Sequence, residues 1–146
     1  MAGFLYMSDL MFKTLSYAVL VRCGPGDLAR SLSAIEFVQE LLAQGHGLER
    51  VFFYQQGVLC ASNLRVVPQG EVDITALWQT LAQEHGIELG VCIAGALHNG
   101  IVDAQEAERY ELDHSNLALG FSLVGLGQLA AASADCDRLV SFGAGV

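Results

Sequence analysis

The sequence predicts an α/β fold: a three-layer sandwich with a five-stranded, mostly parallel sheet and helices on both faces. Three observations lead there. Five short apolar runs alternate with helix-patterned segments, the order expected of parallel strands joined by right-handed crossovers. The chain is 53 % hydrophobic and only 16 % charged, which suits strands covered on both faces or a sizeable subunit interface. Its 146 residues are enough for one domain with a proper core.

The elements follow in order. Residues 1–12 read as an N-terminal extension, with Met11 an alternative start, and 13–146 as a single domain. Leu15 to Arg22 is the first strand, and Cys23-Gly24-Pro25-Gly26 is the loop after it. Asp27 is placed to cap a helix from Leu28 to Gln44, with Leu28, Leu32, Ile35, Phe37, Val38, Leu41 and Leu42 supplying apolar positions. Gly45 and Gly47 end it. Arg50 to Tyr54 is the second strand, followed by a polar loop containing Cys60, Asn63 and Pro68. Asp73 to His85 is a helix with Leu77, Trp78 and Leu81 on one side, stopped by Gly86. Ile87 to Ile93 is the third strand and carries Cys92 at its end; Asn99-Gly100 is a turn signal. Asp103 to Glu111 favours helix, Gly120 to Val124 a short fourth strand, Gly125 to about Ala134 a last helix, and Arg138 to Phe142 a fifth strand.

Charge and cysteine content exclude several functions. With a net charge of −9 and seven Lys plus Arg, the chain should not hold a phosphate backbone, because that needs a basic face. The four cysteines show neither Cys-x-x-Cys nor zinc-ligand spacing, so no metal or other cofactor is expected. Met1 to Asp9 lack a basic n-region and Ser8-Asp9 interrupts the apolar run, so no secretory signal is expected. No run of about 18 apolar residues occurs, so no membrane span is expected. Reduced thiols in the cytoplasm follow as the expectation.

Cys92 is the candidate site residue. A thiol at a strand end is rigidly supported and faces the loops where α/β proteins place their chemistry. If a short helix starts just after it, the helix dipole favours the thiolate. The alternative is a small core hydrophobe, since free cysteine is often buried. In a parallel sheet the same edge gathers Cys23, Gly24, Tyr54, Gln55, Cys92 and Gly125, where a Cys23–Cys92 pair is the less favoured arrangement. Gly24-Pro25-Gly26 lacks the spacing of a phosphate loop and reads as a tight turn. His46 and His85 at helix ends read as structural. His98 either reaches back toward Cys92 or sits in a solvated loop. Asp103, Glu106, Glu108 and Glu111, at helical spacing, read as a solvated face. Gly-x-Ser-x-Gly does not occur, so no nucleophile elbow is expected.

Several segments together resemble the DsrE/TusD family of sulfur-relay proteins. Val51-Phe52-Phe53-Tyr54-x-x-Gly57-Val58 is similar to its second-strand motif. Val91-Cys92-Ile93-Ala94-x-Ala96-Leu97-x-x-Gly100-Ile101-Val102-Asp103 is similar to its active-cysteine segment. Phe121-Ser122-Leu123-x-Gly125-Leu126-Gly127-Gln128-Leu129 and Asp137-Arg138-Leu139-Val140 are similar to its closing block. The likeness is collinear over roughly Leu15 to Gly143, and Trp78-Gln79-x-Leu81 with Ser115-Asn116-Leu117 leans toward the TusD branch.

The resemblance implies that Cys92 accepts sulfur as a persulfide and that the chain is a sulfurtransferase working toward 2-thiouridine in tRNA. It implies TusB-like and TusC-like companion subunits, a TusA-like donor and a TusE-like acceptor, and a homo-oligomer when the chain is alone. The family often carries a basic pair where this chain has His98-Asn99. Three rivals stand beside this reading: a DsrE-type role in sulfur oxidation, a structural subunit without an active thiol, and a thiol redox or nucleotide-binding flavodoxin-like domain.

Overall fold

In the computed structural model, which describes residues 13–143, five strands make one sheet. They are β1 (Ser16–Val21), β2 (Gly47–Phe53), β3 (Leu89–Cys92), β4 (Phe121–Val124) and β5 (Arg138–Phe142). Their order is β4-β3-β2-β1-β5, and every neighbouring pair is parallel. The expected extension at 1–12 lies outside the described residues.

The helices are α1 (Leu28–Ala43), α2 (Ile74–His85), α3 (Ile93–His98), α4 (Ala104–Arg109) and α5 (Leu126–Asp135), with a 3₁₀ helix at Gln55–Ala61. Local chemistry sets their ends. The Asp27 side chain accepts the Arg30 N–H and begins α1; the Asp73 side chain accepts the Ala76 N–H and begins α2. Gly86, at φ +65°, closes α2 in the left-handed conformation that glycine adopts without a Cβ penalty.

Alternation along the strands divides the sheet into two faces. Tyr17, Val51, Phe53 and Phe121 point to one face. There Tyr17 meets Phe37 of α1 edge-on at 5.9 Å, and Phe53 meets Trp78 of α2 at 5.3 Å and Phe121 at 5.2 Å. This is the main core, with Val19, Val51, Phe53, Trp78 and Leu89 fully buried. Arg50, Phe52, Gly90 and Val124 point to the other face, where Arg50 donates to Gln128 of α5. Gly90 is required there: a Cβ would lie 2.9 Å from Val124 Cγ2. Steps from β1 through β4 run one way across the sheet, and the step to β5 runs back. Right-handed crossovers therefore put α5 opposite α1 and α2.

The predicted three-layer fold is present, and the sheet is wholly parallel where a mostly parallel one was expected. The stretch after β2 differs from the polar loop read in the sequence. Residues 55–61 form the 3₁₀ helix, with Val58, Cys60 and Ala61 at zero exposure. Its Gln55-Gln56 start hides an apolar turn that packs under the loops.

Candidate active site

Because all five strands are parallel, their carboxyl ends share one edge. Cys92 is the last residue of β3, opposite Val124 of β4, and also the cap residue of α3. Leu89 to Cys92 are all buried, and Cys92 itself is 2 % exposed. A Cβ built on Gly95 of α3 would stand 3.7 Å from both Cys92 Cβ and Sγ, and 3.2 Å from Val58 Cγ1. The thiol is thus enclosed between the first turn of α3 and the 3₁₀ helix. Val58 was read in the sequence only as the end of the second-strand motif, with nothing placing it beside Cys92, and Gly95 was not singled out. A glycine inside a helical turn was the one signal for Gly95.

The C-terminal end of α3 is held independently. The Asn99 side chain donates to Gly95 O at 2.8 Å, and the Ile101 N–H donates to Ala96 O at 2.8 Å. His98 sits at that exposed end, about 9 Å along the helix axis from Cys92 at 1.5 Å per residue. It therefore does not reach back over the thiol, and the solvated position is the one it occupies.

The other three thiols have different surroundings. Cys23 follows β1 and Cys60 lies in the 3₁₀ helix; all four cysteines are free. β2 lies between β1 and β3, which sets the strands leading to Cys23 and Cys92 about 10 Å apart. Burial pushes the Cys23 thiol up, partly offset by the Ser31 hydroxyl 3.9 Å away. Burial pushes Cys60 up to about 12. Both are held in the thiol form at neutral pH. Cys136, half-buried, joins α5 to β5, where its thiol donates to Arg138 O at 3.2 Å.

Further expectations meet the structure here. Gly24-Pro25-Gly26 is a tight turn: the Asp27 N–H donates to Gly24 O at 3.1 Å. His46 is structural because its Nδ1 accepts the Leu15 N–H at 3.0 Å and its ring meets Tyr17 edge-on. The acidic set is not one solvated face. Asp103 caps α4 by accepting the Glu106 N–H, Glu108 and Glu111 are exposed, and Glu106 is buried at 6 % exposure. Helical spacing alone did not say which side of so short a helix faces in. No helix among the described residues is long and apolar enough to cross a membrane.

Residues 15–142 match the model of the DsrE/DsrF-like family, nearly the span over which the sequence resemblance ran. The chain is 56 % identical over 110 residues to "Sulfurtransferase TusD" of Erwinia tasmaniensis, covering 75 % of this chain and 86 % of that protein. It is 45 % identical over 129 residues to "Sulfurtransferase TusD homolog" of Aliivibrio fischeri, covering 88 % and 99 %. Among solved structures, the ychN protein from E. coli superposes with a TM-score of 0.66 at 17 % identity, covering 88 % of this chain and 99 % of that one. That likeness establishes the fold.

Proposed function

The chain belongs to the DsrE/DsrF-like family, and on that footing we propose that it is a sulfurtransferase of a sulfur relay whose carrier atom is Cys92 Sγ. The observation that carries the assignment to this residue is its position. Cys92 ends β3 and opens α3, at the carboxyl edge of the sheet. Cys23 and Cys60 are held as thiols by burial, and the thiolate is the sulfur nucleophile. Cys136 lies at the start of β5, the opposite end of the sheet from the carboxyl edge.

The chemistry is two thiol–persulfide exchanges. In the first, the Cys92 thiolate attacks the outer sulfur of a donor persulfide. The S–S bond of the donor breaks, its thiolate leaves, and Cys92 holds the outer sulfur. In the second, an acceptor thiolate attacks that outer sulfur and Cys92 leaves as thiolate. No net oxidation occurs, and the site needs no metal or nucleotide. Because Cys92 is 2 % exposed, a donor reaches it only when the cover formed around Val58 and Gly95 yields. That keeps water and stray thiols from the persulfide.

The finer reading is a cytoplasmic relay toward tRNA 2-thiouridine, in which TusB-like and TusC-like subunits assemble with this chain, a TusA-like protein donates and a TusE-like protein accepts. It is preferred to sulfur oxidation because the relatives cited carry the TusD name. With a net charge of −9 the chain passes sulfur between proteins and leaves tRNA to others.

The test is transfer. The chain is charged by a persulfide donor, freed of it, and mixed with a TusE-like protein. Sulfur should appear on the acceptor within one turnover from wild type and not from a Cys92→Ser chain. Equal transfer from both would remove Cys92 from the mechanism.

A further inference from the structure

A cleft of about 630 Å³ opens at the carboxyl end of β1, and Cys92 is not among the residues that line it. Its position is set by topology. β1 is flanked by β2 on one side and β5 on the other, and the helices leading to them lie on opposite faces. Open α/β sheets bind ligands at such a reversal, outside the carboxyl ends of the strands. The volume lies within the usual range for small-molecule sites.

The lining is apolar with two cations. Cys23, Pro25, Leu59 and Leu64 supply the apolar surface, and Arg22 and Arg65 the charge. Leu64 is 71 % exposed, so an occupant would cover a side chain that water now surrounds. The ion pairs among the described residues are Arg30–Asp27, Arg50–Glu88 and Arg109–Glu106; Arg22 and Arg65 take part in none. Arg22 is oriented by donating from Nε to Ser141 Oγ at 2.9 Å, which leaves its two terminal NH₂ groups for another acceptor. The cleft's one carboxylate, Asp27, is already held by Arg30 at 2.7 Å. In a chain of net charge −9, two arginines without acidic partners among the described residues, beside an apolar wall, form a site of the opposite character to the whole. Guanidinium groups match carboxylate and phosphate oxygens.

We propose that this cleft binds a small organic anion, its short apolar body against Pro25, Leu59 and Leu64 and its carboxylate or phosphate on Arg22 and Arg65. Cys23, 4 % exposed, supplies part of the apolar floor. The proposal stands apart from sulfur transfer, because occupancy is read without any persulfide.

Octanoate is the probe, titrated into the ¹⁵N-labelled full chain, with octanol and inorganic phosphate as separate arms. Saturable amide shifts are expected at Gly24, Gly26, Gln56, Leu59 and Leu64, in the millimolar range suited to about ten heavy atoms. Octanol isolates the apolar body and phosphate the anion; each should bind at least about fivefold more weakly than octanoate. Arg65→Gln, at an exposed position, should weaken octanoate by about fivefold and the double change with Arg22→Gln by about tenfold or more, with the remaining spectrum unmoved. No saturable binding, shifts centred elsewhere, or an Arg65→Gln chain that binds octanoate as well as wild type would overturn the site. Octanol binding equal to octanoate would overturn the anion, and phosphate binding equal to octanoate would overturn the apolar body.

Discussion

Asp137 shows how one side chain fixes an edge strand. Its carboxylate accepts the Ser16 N–H at 2.9 Å and the Ser16 hydroxyl at 3.2 Å, while its own N–H donates to Ser16 O at 2.9 Å. The backbone N–H of Ser16 holds the Asp137 carboxyl below its ordinary value of 3.8, with the Ser16 hydroxyl, Lys13 and Arg138 adding to it. Folding thus favours the ionised form. The contribution is complete above pH 3.8 and disappears as pH falls through the lower folded-state value. Urea unfolding should find Asp137→Asn less stable than wild type at pH 7, with the gap closing in acid below that value. A gap that persisted unchanged there would mean that charge has no part in the joint. The place of Cys92 in the fold was readable from local pattern, and β3 ends on it. Cys92 stands at the end of an apolar run within a recognisable segment. Its neighbours were not, because Val58 is brought to Gly95 by the fold and not by adjacency. Glu106 was misread for the same reason: a spacing marks a face but does not say what covers it.

Among the elements, strands and long helices followed the sequence closely. β5 has the predicted bounds, α1 begins after the predicted Asp27 cap, and α2 starts one residue later than read because Asp73 caps it. Periodicity and caps are local signals that tertiary packing only reinforced. The 3₁₀ helix escaped because Gln55 to Ala61 has no helical period and opens on two glutamines. It is nonetheless the element that encloses Cys92, and its seat is a glycine. A Cβ on Gly57 would fall 2.0 Å from Val21 O and 2.8 Å from Val21 C, backbone atoms of β1 that cannot turn aside. Gly57→Ala should cost about 3 kcal/mol or more by overpacking, and should make Cys92 easier to alkylate as the 3₁₀ helix lifts. Gly26→Ala, where a Cβ meets nothing within 4 Å, should change stability by less than about 0.5 kcal/mol. Equal stability of both variants under urea would show that the 3₁₀ helix is not seated as described.

For the whole molecule, the unusual property is how much apolar surface one chain leaves open. Val66 and Leu119 are 91 % and 85 % exposed, Leu139 of edge strand β5 is 46 % exposed, and α5 buries no residue fully. Exposed apolar area of this kind marks surfaces that other chains cover. The isolated protein should therefore self-associate, and light scattering that returned a monomer at high concentration would contradict this. That expectation was already drawn from a composition of 53 % hydrophobic residues, whereas the location of the open surfaces needed the structure. The central claim concerns the four thiols of the chain together: sulfur is carried by one of them. The direct measurement is to load the full chain from a persulfide donor and locate the added sulfur by fragment mass spectrometry. The account predicts one added sulfur atom, on the fragment containing Cys92, retained in Cys60→Ser and Cys136→Ser chains and lost in Cys92→Ser. Sulfur mapped to any other cysteine, or retained by the Cys92→Ser chain, would contradict it.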